Sequence, residues 1–529
     1  MIGAQALVAS LTGAGVDVCF MNPGTSEMHF VGALDSVPEM RGVLALFEGV
    51  ATGAADGYAR IAGKPAAVLL HLGPGLANGL ANLHNARRAR TPVVVIVGAH
   101  ATGHARYDAP LQSDIEALAR TVSGWVHTSG TPRDLAQDAM RAVAAAQSGQ
   151  IATLVLPADV SWSEGGAIAP PRASAPAPTL TQMVDHGRPL SPRTMRLRGG
   201  TALSERGLRA ASRISAATGA RLLAETFPAR LERGAGVPGV DRLAYLAEQA
   251  EAQLAGVGNL ILAGARSPVS FFAYPDKASD LVPAGCSVTV LAEPDQDTEA
   301  ALELLADQVA AGTKPVLVEA APPPPADPGP LNAISLANTI AASLPEHAII
   351  SDEANTSGFA LPMALAAAPR HTLLTLTGGS IGQGMPAATG AAIAAPDRPV
   401  LSLEADGSAL YTIQALWTQA RERLDVTTVL INNAAYAILR MELARTRADQ
   451  TGAGQTGARP GERAARMLDL SHPTPDFTQL STGLGVPARR VTTAEELDRA
   501  LREAYAEPGP HLIEAIVPPV IPPPSAGAW

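Results

Sequence analysis

The sequence predicts an α/β protein built from parallel sheets, and two observations support this. Short apolar strands alternate with helical stretches in two separate segments, 1–165 and 331–520, as they do in βαβ units. Polar residues directly follow two of these strands: Asp406-Gly407-Ser408 comes after 401–405, and Asn432-Asn433 comes after 426–431. Open α/β sheets bind ligands at the carboxyl ends of their strands, so we expect a ligand site there.

The composition limits the class of protein. With 529 residues, of which 47% are hydrophobic and 17% charged, the chain is long enough for several globular domains. A net charge of −10 argues against nucleic acid as a partner. The two cysteines give no disulfide framework, and no leader or long apolar run is evident. We therefore expect a cytoplasmic protein that binds neither nucleic acids nor membranes.

Two proline-rich stretches divide the chain. The stretch 320–330, AAPPPPADPGP, is excluded from helix interiors and central strands because proline lacks a backbone N–H. Together with 166–189 it predicts two linkers. The domains expected from this division are 1–165, 190–319 and 331–520, with a middle α/β domain between two parallel-sheet domains.

The polar residues after the two strands of the third segment suit one kind of ligand. Asp406 and Asn433 both offer oxygen atoms, which Mg²⁺ prefers, and such an ion often holds phosphate oxygens as well. The N–H of Gly407 and the hydroxyl of Ser408 are donors for a phosphate group. The alternative is an ordinary βαβ crossover, because Asp-Gly pairs are common in turns.

These motifs resemble those of a known family. The stretch DGSALYTIQALWTQA, followed by NNAAYAILR, is similar to the diphosphate-binding motif of thiamine diphosphate (ThDP) enzymes. Within the acetolactate synthase and benzoylformate decarboxylase superfamily, the sequence of these motifs is most similar to that of benzoylformate decarboxylase. The family motif begins Gly-Asp-Gly, whereas Ala405 stands first here. The resemblance implies a pyrimidine-binding domain at 1–165 and a diphosphate-binding domain at 331–520.

The resemblance also implies roles for residues of the third segment. Asp406, Asn433 and the backbone carbonyl of Ala435 would bind Mg²⁺. Gly379 and Ile381, in GGSIGQGMP, would hold the aminopyrimidine and bend the cofactor, although these glycines would also permit close packing alone. The further cofactor contacts implied are Asn355, Thr356, Gly407, Ser408, Tyr436, Ala437 and Ile438. Asn355 and Thr356 would serve equally as a helix cap.

Three residues of the first segment are candidate catalytic groups. Glu48, in EGVATGAADGYAR, matches the glutamate that the family places on N1′ of the aminopyrimidine, although an acid also suits the first turn of a helix. His71 follows a strand, as a histidine does in benzoylformate decarboxylase, and would orient the substrate or relay a proton unless it is structural. Thr25, in NPGTSE, matches a serine that faces the substrate carboxylate, or it caps a helix.

The resemblance implies an activity but leaves its outcome open. We expect ThDP- and Mg²⁺-dependent non-oxidative decarboxylation of a small 2-oxo acid. The resemblance implies a homo-oligomer, either a dimer or a dimer of dimers, whose sites lie between subunits. The alternatives are carboligation like that of acetolactate synthase, a weakly active ThDP-binding homologue, and an unrelated nucleotide binder. FAD is not expected. The middle segment reads PVSFFAY where benzoylformate decarboxylase supplies a second histidine, and Ile438 replaces an alanine that borders its phenyl pocket.

Overall fold

The computed structural model describes residues 1–171, 194–274, 277–321, 328–450 and 461–519. Most of the predicted linker 166–189 and the centre of the predicted linker 320–330 lie outside these residues. Three sheets form in the described parts of the chain. Among the described residues, no helix is both long and apolar enough to cross a membrane.

The first sheet contains six parallel strands. They are β1 (Val18–Asn22), β2 (Arg41–Leu44), β3 (Ala66–Leu70), β4 (Val93–Ala99), β5 (Trp125–Thr128) and β6 (Ile151–Pro157), in the order β2-β1-β3-β4-β6-β5. The helices that accompany it are α1 (Gly3–Gly13), α2 (Met28–Ala33), α3 (Glu48–Ala62), α4 (Leu72–Ala89), α5 (Ile115–Arg120), α6 (Pro132–Gln147) and α7 (Ala158–Trp162). Every residue of β3 is buried, because helices cover both faces of a parallel sheet.

The second sheet has five strands, which are also parallel. They are β7 (Thr194–Arg198), β8 (Arg221–Ala224), β10 (Asp241–Arg242), β11 (Asn259–Ala263) and β12 (Ser287–Ala292), in the order β10-β8-β7-β11-β12. Its helices are α8 (Glu205–Thr218), α9 (Ala247–Leu254) and α10 (Thr298–Val309). The short strand β9 (Leu231–Arg233) leaves this region and joins the third sheet instead.

The third sheet has seven strands, of which β9 alone is antiparallel to its neighbour. The others are β13 (Ala348–Glu353), β14 (His371–Thr375), β15 (Val400–Ala405), β16 (Val426–Asn432), β17 (Ala488–Val491) and β18 (His511–Ile516), in the order β17-β18-β16-β15-β13-β14-β9. The helices are α11 (Ala333–Ser343), α12 (Leu361–Ala364), α13 (Gly384–Ala394), α14 (Asp406–Thr412), α15 (Ala415–Glu422), α16 (Ala437–Gln450), α17 (Glu462–Arg466), α18 (Phe477–Gly483) and α19 (Ala494–Ala506). The predicted fold class, parallel-sheet domains flanking a middle α/β domain, is confirmed.

Helices α3 and α13 join the first and third sheets closely. A Cβ atom at Gly57 would lie 2.1 Å from the carbonyl oxygen of Ala387, so only glycine allows this approach. Beside this contact, the buried Arg60 guanidinium pairs with Asp56 at 2.6 Å and donates to the carbonyl of Thr375 at 2.9 Å. Gln383 also donates to Asp56. The segment around Glu48 and the loop before α13 are therefore held against each other within one chain.

Candidate active site

Asp406 stands at the carboxyl end of β15 and begins α14. Its side chain is only 3% exposed, and Oδ1 accepts from the N–H of Gly407 at 2.8 Å. Oδ2 is buried and has no hydrogen-bond partner within the described part of the chain. Burial raises the pKa of Asp406 to about 6, and nearby N–H groups of residues 433–435 act against that rise. The orphaned oxygen is the kind of atom that a bound cation satisfies.

Asn433 follows β16 and lies in the turn whose N–H groups face Asp406. Its Nδ2 donates to the hydroxyl of Ser357 at 3.0 Å, and its Oδ1 accepts from the N–H of Ala435 at 3.0 Å. Asn433 and Ala435 are both buried. A carboxylate, an amide oxygen and a backbone carbonyl thus lie at the ends of two adjacent strands, and these are the oxygen donors that suit Mg²⁺.

The groups predicted to hold phosphate lie next to this cluster. Asn355 donates to the hydroxyl of Ser408 at 2.9 Å, and Thr356 is buried beside it. A Cβ atom at Gly407 would lie 2.5 Å from the ring of Tyr436, so the aromatic ring needs glycine there. Ala405 has φ −80° and ψ 146°, an extended conformation that any L-residue adopts, so the missing first glycine of the motif causes no strain.

The loop 378–384, called here the glycine loop, is held from two directions. The buried Glu353 carboxylate accepts from the N–H groups of Gly382 and Gln383, at 2.7 and 2.8 Å. On the other side, Asn82 on α4 donates both to the carbonyl of Gly382 at 3.0 Å and to that of Gly49 at 2.8 Å. Gly379 has φ +73°, and Ile381 is partly exposed. The loop is therefore fixed while the residues predicted to contact the cofactor keep an open side.

Glu48 and His71 lie at the carboxyl edge of the first sheet. Glu48 begins α3, and its Oε2 accepts from Asn78 at 3.0 Å. His71 Nδ1 lies 2.8 Å from Oε2 of Glu27, which is fully buried. Because the Glu27 carboxylate accepts from Nδ1–H, the Nε2 atom of His71 is left to act on another group. Among the described residues, no hydrogen bond joins Glu48 or His71 to Asp406 or Asn433.

The sequence interpretation missed Glu27 and Ser26. Glu27 also accepts from the N–H of Gly24 at 2.7 Å and from the hydroxyl of Ser26 at 2.9 Å, and Ser26 lies 3.4 Å from His71 Nδ1. Thr25, the residue predicted from the motif, is exposed at the start of a 3₁₀ turn (Thr25–Glu27). A Cβ atom at Gly24 would lie 2.3 Å from the His71 ring. The NPGTSE turn therefore packs against the histidine only because residue 24 is glycine.

Three of the seven non-glycine residues that have a positive φ in the described chain lie just after strands that carry these residues. Leu72, Asn355 and Ala434 have φ of +49°, +50° and +53°, and they follow β3, β13 and β16 almost directly. Non-glycine residues in this left-handed region carry a cost of about 1–3 kcal/mol and often accompany functional sites. These three strained positions therefore lie at the same edges as the predicted site residues, whereas the other four, Arg90, Asp108, His347 and Arg423, lie elsewhere.

Comparison with known proteins identifies the family. Residues 1–120 match "Thiamine pyrophosphate enzyme, N-terminal TPP binding domain", and residues 366–515 match the corresponding C-terminal TPP binding domain. The chain is 62% identical to the "Putative acetolactate synthase large subunit IlvX" of Mycobacterium tuberculosis, over 98% of this chain and 100% of that protein. It is 29% identical to benzoylformate decarboxylase of Pseudomonas aeruginosa, over 94% and 96% of the two chains.

A solved structure supports the fold. The thiamine diphosphate-dependent 4-hydroxybenzoylformate decarboxylase of Rhodococcus jostii RHA1 superposes with a TM-score of 0.83 at 24% identity, over 98% of this chain and 99% of that one. The chain belongs to the thiamine pyrophosphate enzyme family. The predictions of this family and of a ThDP-dependent enzyme are confirmed, whereas the roles of the individual site residues stay predictions.

Proposed function

We propose that this protein catalyses the Mg²⁺- and ThDP-dependent non-oxidative decarboxylation of a 2-oxo acid. The observation that carries the proposal is the buried Oδ2 of Asp406, which has no hydrogen-bond partner among the described residues and lies beside the Asn433–Ala435 turn. An unpaired buried carboxylate oxygen is unfavourable, and a divalent cation at this point removes that cost. The same cation neutralises the diphosphate that the neighbouring donors accommodate.

Each part of the cofactor has residues that fit it. Asp406, Asn433 and the carbonyl of Ala435 hold Mg²⁺, while Gly407 and Ser408 hold the diphosphate. Asn355 and Thr356 support the diphosphate from β13, and Tyr436, Ala437 and Ile438 line the turn after the metal ligands. The carbonyl of Gly379 accepts from the amine of the aminopyrimidine, and Ile381 separates the two rings. Bound ThDP would supply a nucleophilic carbon and an electron sink for the electron pair that remains when carbon dioxide leaves.

The residues of the first sheet handle protons and orient the substrate. Glu48 would exchange a proton with N1′ of the aminopyrimidine, as the family resemblance implies. His71, with Nδ1–H donating to Glu27, would, when Nε2 also carries a proton, donate from Nε2–H to the substrate carboxylate or to the carbon that has lost carbon dioxide. The hydroxyls of Thr25 and Ser26 are candidate donors to that carboxylate.

Carboligation is the second candidate function, and one observation favours it. Residues 268–273, PVSFFA, contain no acid or base, so the middle region supplies no second proton donor at this stretch. The Mycobacterium tuberculosis relative is also named after acetolactate synthase. Either reaction takes place in a homo-oligomer, a dimer of dimers, in which the first-sheet residues of one subunit meet the third-sheet residues of another. A weakly active ThDP-binding homologue is the third outcome.

A calorimetric titration with ThDP, with and without Mg²⁺, tests the cofactor site first. We expect Mg²⁺-dependent binding that Asp406→Ala weakens at least about 100-fold, because the mutation removes a metal ligand. The exposed Asp397→Ala is the matched control, with unchanged binding. Binding that Asp406→Ala leaves unaltered would contradict the proposed metal site.

Product analysis by NMR with pyruvate or benzoylformate then separates the candidate reactions. An aldehyde supports decarboxylation, and a hydroxyketone supports carboligation. Tight ThDP binding without turnover of any 2-oxo acid indicates the weakly active homologue. An absence of ThDP binding under all conditions would contradict the whole assignment of the site.

A further inference from the structure

The loop between β11 and β12 displays two large apolar side chains. Phe271 is 43% exposed and Phe272 is 53% exposed, and their ring centroids are 4.9 Å apart. Tyr245 and Phe227 support Phe271, at 5.1 and 5.9 Å between centroids. The two phenyl rings therefore form an anchored aromatic surface with an open side, and an apolar group that covered it would be stabilised by burial.

This aromatic surface touches the glycine loop. A Cβ atom at Gly379 would lie 2.7 Å from Cζ of Phe271, so the phenyl ring packs directly on the backbone of Gly379. In the proposed function, the carbonyl of Gly379 faces the aminopyrimidine. One edge of the aromatic surface is thus fixed beside the place where the cofactor rings bind.

A second attachment ties the same loop to α16, which begins just after the Asn433–Ala435 turn. The hydroxyl of Tyr274 donates to Oε2 of Glu442 at 2.9 Å. Arg445 stacks on the Tyr274 ring at 4.9 Å and pairs with Glu248 at 2.8 Å. Phe272 lies between Phe271 and Tyr274 in the sequence. Its exposed ring therefore belongs to a loop that is attached both to the glycine loop and to α16, the two elements that border the proposed cofactor position.

The chemistry of this part of the cleft is mainly apolar. Residues 268–273 contain no charged side chain, and α16 adds Ile438 and the 45%-exposed Leu439. Arg445 is already paired with Glu248 and lies 3.8 Å from Glu442. The guanidinium of Arg445, which stacks on Tyr274 of this loop, is therefore engaged and does not favour a second carboxylate on a substrate.

We propose that Phe271 and Phe272 form a wall against which the substrate side chain packs, so that the protein selects 2-oxo acids with branched aliphatic or aryl side chains. This inference rests on the proposed function, because it assigns the substrate class of the same site. Phe272 is the specificity-determining residue, and Phe271 positions it against the glycine loop.

The test measures kcat/KM of the ThDP- and Mg²⁺-loaded enzyme for five 2-oxo acids. These are pyruvate, 4-methyl-2-oxopentanoate, benzoylformate, 2-oxoglutarate and 5-guanidino-2-oxopentanoate. Phe272→Ala is expected to lower kcat/KM for 4-methyl-2-oxopentanoate and benzoylformate about 10- to 100-fold, and to change that for pyruvate less than about 3-fold. Val269→Ala, at an exposed position of the same loop, is the matched control and leaves all five values unchanged.

Two results would overturn the inference. One is an equal loss for pyruvate and for the bulky acids. The other is a wild-type preference for 2-oxoglutarate or for the guanidino acid, which would place a carboxylate or a cation at the wall; Oε1 of Glu442 has no hydrogen-bond partner in the described residues and would receive such a cation.

A binding experiment separates this inference from the proposed function. Saturation-transfer NMR with 4-methylpentanoate reports contact with the holoenzyme whether or not any 2-oxo acid reacts. A signal in the wild type that Phe272→Ala abolishes supports the wall, even if turnover is absent and the proposed function fails. Equal signals in the two proteins would overturn the wall while leaving decarboxylation intact.

Discussion

The carboxyl edges of the first and third sheets are built alike but differ in how far their polar groups are satisfied. On the first sheet, Glu27 already engages His71 and Glu48 accepts from Asn78. On the third sheet, Asp406 keeps a buried oxygen without a partner in the described chain. In the proposed function, the first edge would transfer protons with groups that the protein already holds in place, whereas the third edge would be completed by a bound cation.

The largest expected effect separates proton transfer from binding. Glu48→Gln keeps the shape of the side chain but removes its acid, so we expect kcat to fall roughly 10³-fold while ThDP affinity changes only a few-fold. Turnover assays and calorimetry measure the two quantities. The exposed Glu39→Gln is the control and retains full activity. A parallel loss of ThDP binding would contradict the assignment of proton transfer to the first-sheet edge and of cofactor binding to the third-sheet edge.

The next effect concerns the contact between the two sheets. Arg60→Leu leaves Asp56 buried without its cation, so we expect the free energy of unfolding to fall by about 3–5 kcal/mol. Arg120→Leu removes an exposed pair with Glu116 at the same spacing and should change stability by less than about 1 kcal/mol. Urea denaturation compares them. A small change for Arg60→Leu would mean that the two edges are not fixed by this pair.

A buried histidine of the third sheet makes the stability of the protein sensitive to pH. His371, at the start of β14, is 1% exposed, and its Nδ1 donates to the carbonyl of Pro369. Burial lowers the pKa of His371 from 6.5 to about 4, and the nearby Arg233 adds to this. As the pH falls, His371 therefore becomes protonated in the unfolded chain before it does so in the folded protein. The stability that neutral His371 preserves is complete above pH 6.5 and is lost as the pH falls towards 4.

We expect this loss to reach about 3 kcal/mol. His371→Asn removes the group, so its unfolding free energy should depend less steeply on pH between 6.5 and 4 than that of the wild type. Denaturation of both proteins at several pH values measures the two slopes. Equal slopes for His371→Asn and the wild type would contradict the burial argument.

The smallest effect uses the strained residues. Ala434→Gly relieves a left-handed φ of +53° and should stabilise the protein by about 0.5–1 kcal/mol. Leu72→Gly relieves a similar φ of +49° but removes a buried side chain, so the net result should be a loss of about 2 kcal/mol. Thermal denaturation distinguishes the two. Stabilisation by both substitutions would mean that Leu72 contributes little to the core of the first sheet.

The sequence predicted best what is local. The hydrophobic pattern of consecutive residues predicts the alternation of strands and helices. The polar residues after β15 and β16 directly follow these strands in the sequence and so predict a site at the sheet edge. Glu27 was missed because its partner His71 is distant in sequence, and its position in NPGTSE suggests only a helix start. Gln383 was likewise read as part of a glycine-rich loop, since nothing local reveals its bond to Asp56.

The substrate wall also had no local signal. The resemblance placed PVSFFAY where benzoylformate decarboxylase supplies a histidine, but its apolar residues indicated no role, and the packing of Phe271 on Gly379 became visible only in the structure. The strand β9 has only three residues and is too short to show periodicity. The sequence therefore did not predict that β9 pairs with β14 of the third sheet.

Strand β9 has a consequence for attempts to shorten this protein. It pairs Leu231, Glu232 and Arg233 with β14 and so covers what would otherwise be an open edge of the third sheet. Uncovered edges recruit strands from other molecules. A truncated enzyme that discards the whole middle region would therefore expose β14 and invite aggregation. A minimal version should retain residues 231–233 as a built-in cap.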